Sequence, residues 1–336
     1  MLIAVDAMGG EGGPQRTVAA ALQVLAEEAD LSLVLLGDRG QINAQLESAG
    51  KLRERCQVVH AQTVIGDEEL PRSVLRNGRE SSIYKAVELV REGEVEAMVS
   101  AGNTGALLMV GRHLLKTLPG IHRPAIVATL PAVRQQCFLL DVGANPECDA
   151  QQLFEFAVMG SVLAESLNRD CARARVGLLN IGAEHYKGTN PVRQAANRLE
   201  SCGDLNFIGF VEANELFEGV ADVVVCDGFV GNVTIKSSAG VANVVKNMLS
   251  TELQHSLLTR LSGLSPASVV SRLASRINPQ RFNGASLLGL KGSVVKSHGN
   301  ATTEGFTYAI RQAQREASNR VPELIAARVA AIMASS

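Results

Sequence analysis

The stretch Ala97-Met98-Val99-Ser100-Ala101-Gly102-Asn103-Thr104-Gly105-Ala106-Leu107-Leu108 decides the fold. A short apolar run closes in a small, glycine-rich turn carrying an asparagine, and an apolar helical pattern follows. Glycine lets the backbone approach a neighbour or a ligand closely. Asparagine supplies neutral donors and caps the helix behind it. The layout recurs at Leu140-Asp141-Val142-Gly143-Ala144-Asn145, Cys226-Asp227-Gly228-Phe229-Val230-Gly231-Asn232 and Ser297-His298-Gly299-Asn300. Strand, turn and helix in this order build the crevice of an α/β fold, where ligands gather beyond the carboxyl ends of parallel strands. Four such turns predict a pocket for an anion or a carbonyl oxygen, without a charge at every corner.

Outward from these turns, continuous apolar runs predict strands at Leu2–Val5, Leu31–Leu36, Gln57–His60, Ala97–Val99, Ala125–Thr129, Phe138–Asp141, Val176–Asn180, Leu205–Ile208, Val223–Cys226 and Val294–Lys296. Runs that do not alternate belong to sheets covered on both faces. Helical patterns lie between most of them, at Pro14–Glu28, Ser82–Arg91, Thr104–Thr117, Ala150–Leu167, Pro191–Glu200, Val230–Thr251 and Thr302–Ser318. The fold class is therefore α/β, a three-layer α/β/α arrangement around a mainly parallel sheet. No linker or composition break divides residues 1–336, which reads as one catalytic unit.

Residues 241–278 depart from this rhythm, being helical in pattern throughout. Leu253, Leu257, Leu258, Leu261 and Leu264 share one helical face, and Val269, Val270, Leu273 and Ile277 share another after Ser265-Pro266 restarts the chain. The pattern predicts a projecting helical hairpin. No acidic residue occurs between Glu252 and Glu304, whereas Arg260, Arg272, Arg276, Arg281, Lys291 and Lys296 fall there. A basic polar side beside a leucine stripe suits a dimer partner, an anionic lipid surface or an acidic carrier protein, and a solvated helical face suits it equally.

The 336 residues carry a net charge of −2 and 46% hydrophobic residues, the profile of a globular protein rather than a nucleic-acid binder. Six cysteines form no CxxC pair and have no zinc spacing, which suits reduced thiols in the cytoplasm. The amino-terminal segment begins as a strand and lacks the pattern of a secretory signal. P-loop, GxGxxG, GxSxG and HExxH motifs are absent. What is left for chemistry is Gly, Asn, Asp and a few Lys, Arg and His, which suits positional and electrostatic catalysis.

Three further segments carry candidate site residues. Asp6-Ala7-Met8-Gly9-Gly10-Glu11-Gly12-Gly13-Pro14 leads from strand to helix, and free N–H groups at such a helix start favour an anion. Pro71 to Ser82 brings Arg72, Arg76 and Arg79 to another helix start, capped by Ser81 or Ser82. The loop Asn180-Ile181-Gly182-Ala183-Glu184-His185-Tyr186-Lys187-Gly188 makes Lys187 the best single candidate for a catalytic cation.

Taken in order, these words resemble the bacterial phosphate acyltransferases of phospholipid synthesis over nearly the whole chain. The matching segments are Asp6 to Gly10, Ser100 to Ala106, Asp141 to Asn145, Gly177 to Gly182, Lys187-Gly188, Asp227 to Val233 and Lys296 to Gly299. The resemblance implies a fold like that of isopropylmalate dehydrogenase and phosphotransacetylase. It implies transfer of a long acyl chain from acyl carrier protein to inorganic phosphate, with Lys187 and Asn232 catalytic. Asp6, Gly9, Gly10, Arg79, Ser82, Ser100, Asn103, Thr104, Asp141, Asn145, Asp227, Gly231 and His298 would line the substrate site, the aspartates chiefly ordering nearby N–H groups. Leu257, Leu261, Val269, Arg272, Leu273 and Arg276 would touch membrane or carrier protein. It further implies neither cofactor nor metal, no nucleic-acid partner, a homodimer, and a cytoplasmic protein held peripherally on the inner face of the membrane. Two rivals stay open: a dehydrogenase-like oxidoreductase and a non-catalytic membrane scaffold that binds carrier protein.

Overall fold

The computed structural model describes residues 1–255 and 279–335, apart from 67, 134, 135 and 169. The hairpin contacts expected at Leu257, Leu261, Val269, Arg272, Leu273 and Arg276 lie outside the described residues. Eleven described strands form one sheet: β1 (Leu2–Asp6), β2 (Ser32–Gly37), β3 (Cys56–His60), β4 (Ala97–Ser100), β5 (Ala125–Pro131), β6 (Gln136–Leu140), β7 (Arg175–Leu179), β8 (Asn206–Val211), β9 (Val223–Val225), β10 (Ala285–Leu288) and β11 (Ser293–Lys296). The described helices are α1 (Gly13–Glu27), α2 (Arg39–Leu46), α3 (Val74–Asn77), α4 (Ser82–Glu92), α5 (Thr104–Leu114), α6 (Ala150–Leu167), α7 (Asn190–Ser201), α8 (Gly228–His255), α9 (Thr303–Ser318) and α10 (Val321–Ser335).

The strand order is β3-β2-β1-β4-β11-β10-β5-β6-β9-β7-β8. The first five are mutually parallel, and so are the last four. Between these groups β10 runs antiparallel to β11 and β5, and β5 runs antiparallel to β6. The mainly parallel sheet expected from the sequence is therefore two parallel halves of opposite direction, joined through antiparallel pairs. The physical reason for the last reversal is the short connection from Pro131 to Gln136, which has no room for the crossover that parallel neighbours need.

Both faces are covered, as the continuous apolar runs require. On β1, Ile3 and Val5 pack with Phe306 and Ile310 of α9 and with α1, whereas Ala4 packs on the other face with Ile83 of α4 and Val110 of α5. In the second half Leu140, Val223 and Val225 meet Phe156 of α6 and Ile325 of α10, and Leu139, Val224 and Cys226 meet Leu216 opposite. Local capping matches the sequence signals: Ser81 caps α4, Asn103 caps α5, and Asp149 with Gln152 forms a capping box at α6. Lys296 is buried at the end of β11, so it does not contribute to the basic surface read from its segment.

Candidate active site

The carboxyl ends of β6, β9 and β7 lie side by side. Leu140 and Leu178 both pair with Val225. One residue further, Asp141 N–H donates to Cys226 O at 2.9 Å. Asp141 organises the turn behind β6. Its carboxylate accepts from the N–H groups of Ile126, Gly143, Ala144 and Asn145 and from Asn145 Nδ2, at 2.6–3.1 Å. Burial pushes its pKa up, yet every one of these neighbours is a donor, which suits the ionised form. Asn145 also donates Nδ2 to Pro124 O at 2.8 Å, so both of its amide hydrogens are committed to the fold.

Helix α8 starts against this turn. A Cβ on Gly231 would lie 1.9 Å from Asp141 O, and one on Gly228 would lie 2.6 Å from Asn145 O. These glycines therefore permit close packing of the helix start on the neighbouring strand end. Asp227 accepts from Val230 N–H at 2.8 Å in the first turn. Asn232, one turn into the helix and half-buried, differs from Asn103 and Asn145. Its side-chain amide makes no hydrogen bond among the described residues, and it lies beside the open Gly143, 3.9 Å from where a Cβ there would sit.

The loop carrying Lys187 follows β7, the strand next to β9. Asn180 Nδ2 donates to Gly182 O and Lys187 O, folding the loop back on the strand end. Arg193 of α7 donates to Tyr186 O at 3.1 Å and Gly188 O at 2.7 Å. Gly188 has φ +89°, and a Cβ there would sit 2.2 Å from Asn180 Oδ1. Lys187 pairs with Glu184 at 2.8 Å, and this ammonium holds the Glu184 carboxyl below its ordinary pKa. The Lys187 and Asn232 segments thus leave adjacent strands, about 5 Å apart across the sheet.

A second cluster gathers at the ends of β1, β4 and β11. Asp6 accepts from Ser100 Oγ at 2.6 Å and Met8 N–H at 3.2 Å, and Ser100 Oγ accepts from Gly102 N–H. Burial raises the Asp6 pKa, opposed by Ser100 first and then by Ser82. Ser82 Oγ itself is buried and lies outside hydrogen-bonding geometry with any partner among the described residues. Gly9 brings the first turn to within 2.6 Å of Gly102 N, measured from its hypothetical Cβ, and Gly10 takes φ +81° against Gly299 O. Asn103 accepts from Ala106 N–H and donates to Gly66 O and Glu69 O. His298, just beyond the end of β11, is exposed and partly desolvated by its surroundings. Desolvation there, followed by the Lys296 ammonium, holds its pKa below the ordinary value, so the ring is neutral at pH 7. Thr104 and Arg79 are exposed near this cluster's helix starts.

The expected site residues therefore fall into two groups. Asp6, Gly9, Gly10, Ser82, Ser100, Asn103, Thr104 and His298 belong to the first half of the sheet. Asp141, Asn145, Asp227, Gly231, Asn232 and Lys187 belong to the second. Strands β1 and β6 are five steps apart in the order, about 24 Å at about 4.8 Å per step. A single phosphate does not span that gap at the strand ends.

The chain matches the family model described as fatty acid synthesis protein over residues 1–324. It is 48% identical over 326 residues to the phosphate acyltransferase of Nitrosococcus oceani, covering 97% of this chain and 95% of that one. The chain belongs to this family. It is an acyltransferase. A phosphate acyltransferase of a Shewanella species is 46% identical, covering 99% of this chain and 98% of its own. Among solved structures, the EutD phosphotransacetylase of Staphylococcus aureus has the same fold, with a TM-score of 0.61 at 18% identity over 94% of each chain.

Two thiols adjoin the second group in this acyltransferase. Cys226 Sγ donates to Asp141 O at 3.4 Å, and Cys148 Sγ donates to Asn145 O at 3.7 Å. Burial, reinforced by nearby aspartates, pushes the Cys148 thiol up to about 12 and the Cys226 thiol well above 9.0. Neither is a thiolate at neutral pH, and the thiolate is the nucleophile of cysteine chemistry. Sequence reasoning had not singled out Asn180 or Arg193, which shape the Lys187 loop. Asn180 carries a readable signal, being an asparagine at a strand end with a glycine two residues later, Gly182. Arg193 lies in an ordinary helical pattern and has none.

Proposed function

We propose that the protein transfers a long acyl chain from the thioester of acyl carrier protein to inorganic phosphate, giving an acyl phosphate for glycerophospholipid synthesis. The observation that carries the reading is the uncommitted amide of Asn232 at the start of a long helix, on the strand end next to the Lys187 loop, in a chain of this family.

Phosphate is nucleophilic near neutral pH, so the step needs positioning and charge stabilisation more than a strong base. A phosphate oxygen attacks the thioester carbon. Lys187 draws in the anion, and Asn232 donates to the developing oxyanion, aided by the positive end of α8. The tetrahedral intermediate collapses with loss of the carrier thiolate, and the proton of hydrogen phosphate ends on that sulfur. The high thiol pKa values at Cys148 and Cys226 favour this direct attack over an acyl-cysteine intermediate. Asp141 and Asp227 hold the turns in shape, and neither needs to face phosphate.

The proposal includes acyl carrier protein as donor, a homodimer, one catalytic unit and a peripheral position on the inner face of the membrane. Supporting this, α8 continues away from its first turns with Val241, Val244, Val245 and Met248 exposed, toward the residues expected to make such contacts. No helix among the described residues is long and apolar enough to cross a membrane.

The test is release of free carrier-protein thiol from acyl carrier protein with and without phosphate. Phosphate-dependent release is expected, and its absence rejects both the reaction and any difference from a passive scaffold. Asn232→Ala is expected to slow turnover on the order of 100-fold, the usual loss for one oxyanion donor. Near-normal turnover in Asn232→Ala and Lys187→Ala would remove these residues from the chemistry.

A further inference from the structure

Large apolar side chains are exposed on both segments that carry the catalytic candidates. On the β7 loop, Ile181 is 78% and Tyr186 74% exposed. On the first turns of α8, Phe229 is 66%, Val233 50% and Val230 41% exposed. The segments leave adjacent strands, with Leu178 paired to Val225. The five side chains are therefore carried by the same two neighbouring segments that carry Lys187 and Asn232.

Exposed apolar residues are ordinary singly, but a contiguous set beside polar chemistry marks a binding surface. The local backbone gives no reason for these residue types. The loop is held by Asn180 and Arg193 through carbonyl groups of Gly182, Tyr186, Lys187 and Gly188, for which the side chains of Ile181 and Tyr186 are dispensable. Likewise, the start of α8 is set by Asp227, Gly228 and Gly231, not by Phe229.

We infer that Ile181, Tyr186, Phe229, Val230 and Val233 form an apolar collar that takes the acyl chain of the substrate as its carbonyl meets Asn232. The collar sets chain-length selectivity. This inference rests on the proposed reaction and names the residues that read the chain. Continuity with the polar site argues for the acyl chain as occupant, since the chain is bonded directly to the reacting carbonyl and must leave along the same surface.

Burying one methylene multiplies affinity by roughly fourfold. The wild-type kcat/KM is therefore expected to climb along a series of acyl-pantetheine thioesters from acetyl to dodecanoyl, at a fixed phosphate concentration. Phe229→Ser and, separately, Ile181→Ser are expected to flatten that climb at least tenfold by the end of the series, mainly through KM. Both sites are exposed, and an unchanged melting profile verifies the fold. An unaltered chain-length profile in both folded variants overturns the collar. So does a change in oligomeric mass by sedimentation with the profile intact, which would make the surface an interface between copies. Failure of wild-type protein to release thiol from any substrate strikes the proposed reaction itself, and the two failures are thereby distinguished.

Discussion

Glu316 of α9 lies wholly inside the protein, against the central antiparallel strand β10. It bonds with Ser286 Oγ and accepts from Gln312 Nε2 at 2.8 Å. No cation faces it among these partners, so burial dominates and pushes its pKa from 4.5 to about 7. The folded protein then keeps a proton on Glu316 over a range where the unfolded chain has released it. The folded state binds more protons, so stability falls as pH rises from about 4.5 through about 7, and levels off above. The difference between those values corresponds to about 3 kcal/mol at about 1.4 kcal/mol per pH unit. Glu316→Gln keeps the shape and the hydrogen-bonding capacity and removes the titration. Paired urea unfolding curves at pH 5 and pH 8 read the effect. Near pH 5 the two proteins should differ little. At pH 8 the variant should be the more stable, by up to about 3 kcal/mol. An equal difference at the two pH values, or a variant weaker at pH 8, would refute the reasoning.

Asn145→Ala removes the bonds to Pro124 O and Asp141 and leaves donors and acceptors of a buried turn unpaired. It should cost about 1–3 kcal/mol in thermal or urea stability, and turnover per folded molecule should fall far less than in Asn232→Ala. Glu184 pairs with the Lys187 ammonium, and under the proposed mechanism it competes there with phosphate. Glu184→Gln should lower the KM for phosphate a few-fold at low ionic strength, with the effect fading as salt rises, because an exposed pair is worth less than about 1 kcal/mol. A KM that is unchanged, or a change independent of salt, would show that Lys187 does not meet phosphate.

Much of the fold was legible because its determinants are local. Continuous apolar runs fixed the buried strands, and glycine, asparagine and serine at their ends marked turns and caps, with Asn103 and Ser81 capping α5 and α4. Strand β10 escaped notice because four residues between Gly284 and Gly289 present neither a long run nor a period. The reversal at β5 and β6 was signalled by the short connection, though the apolar runs alone suggested parallel neighbours. Lys187 and Asn232 stood out through family-like words, whereas Arg193 had no pattern to betray it.

From the amino-acid sequence alone came the α/β class, most strand and helix positions, the turns and the family, since each depends on residues close together in the chain. Tertiary structure separated four similar asparagines, tying two into the fold and leaving Asn232 and the exposed Asn300 available among the described residues. Asn103 is tied up by Gly66 and Glu69, and Asn145 by Pro124 and Asp141, while Asn232 meets no such partner among the described residues. It also split one expected pocket into two clusters, because the strand directions reverse in the middle of the sheet. Periodicity reports how a segment folds on itself. Hydrogen-bond partners and strand direction depend on what the rest of the chain brings alongside, and packing settles that only once the sheet is assembled.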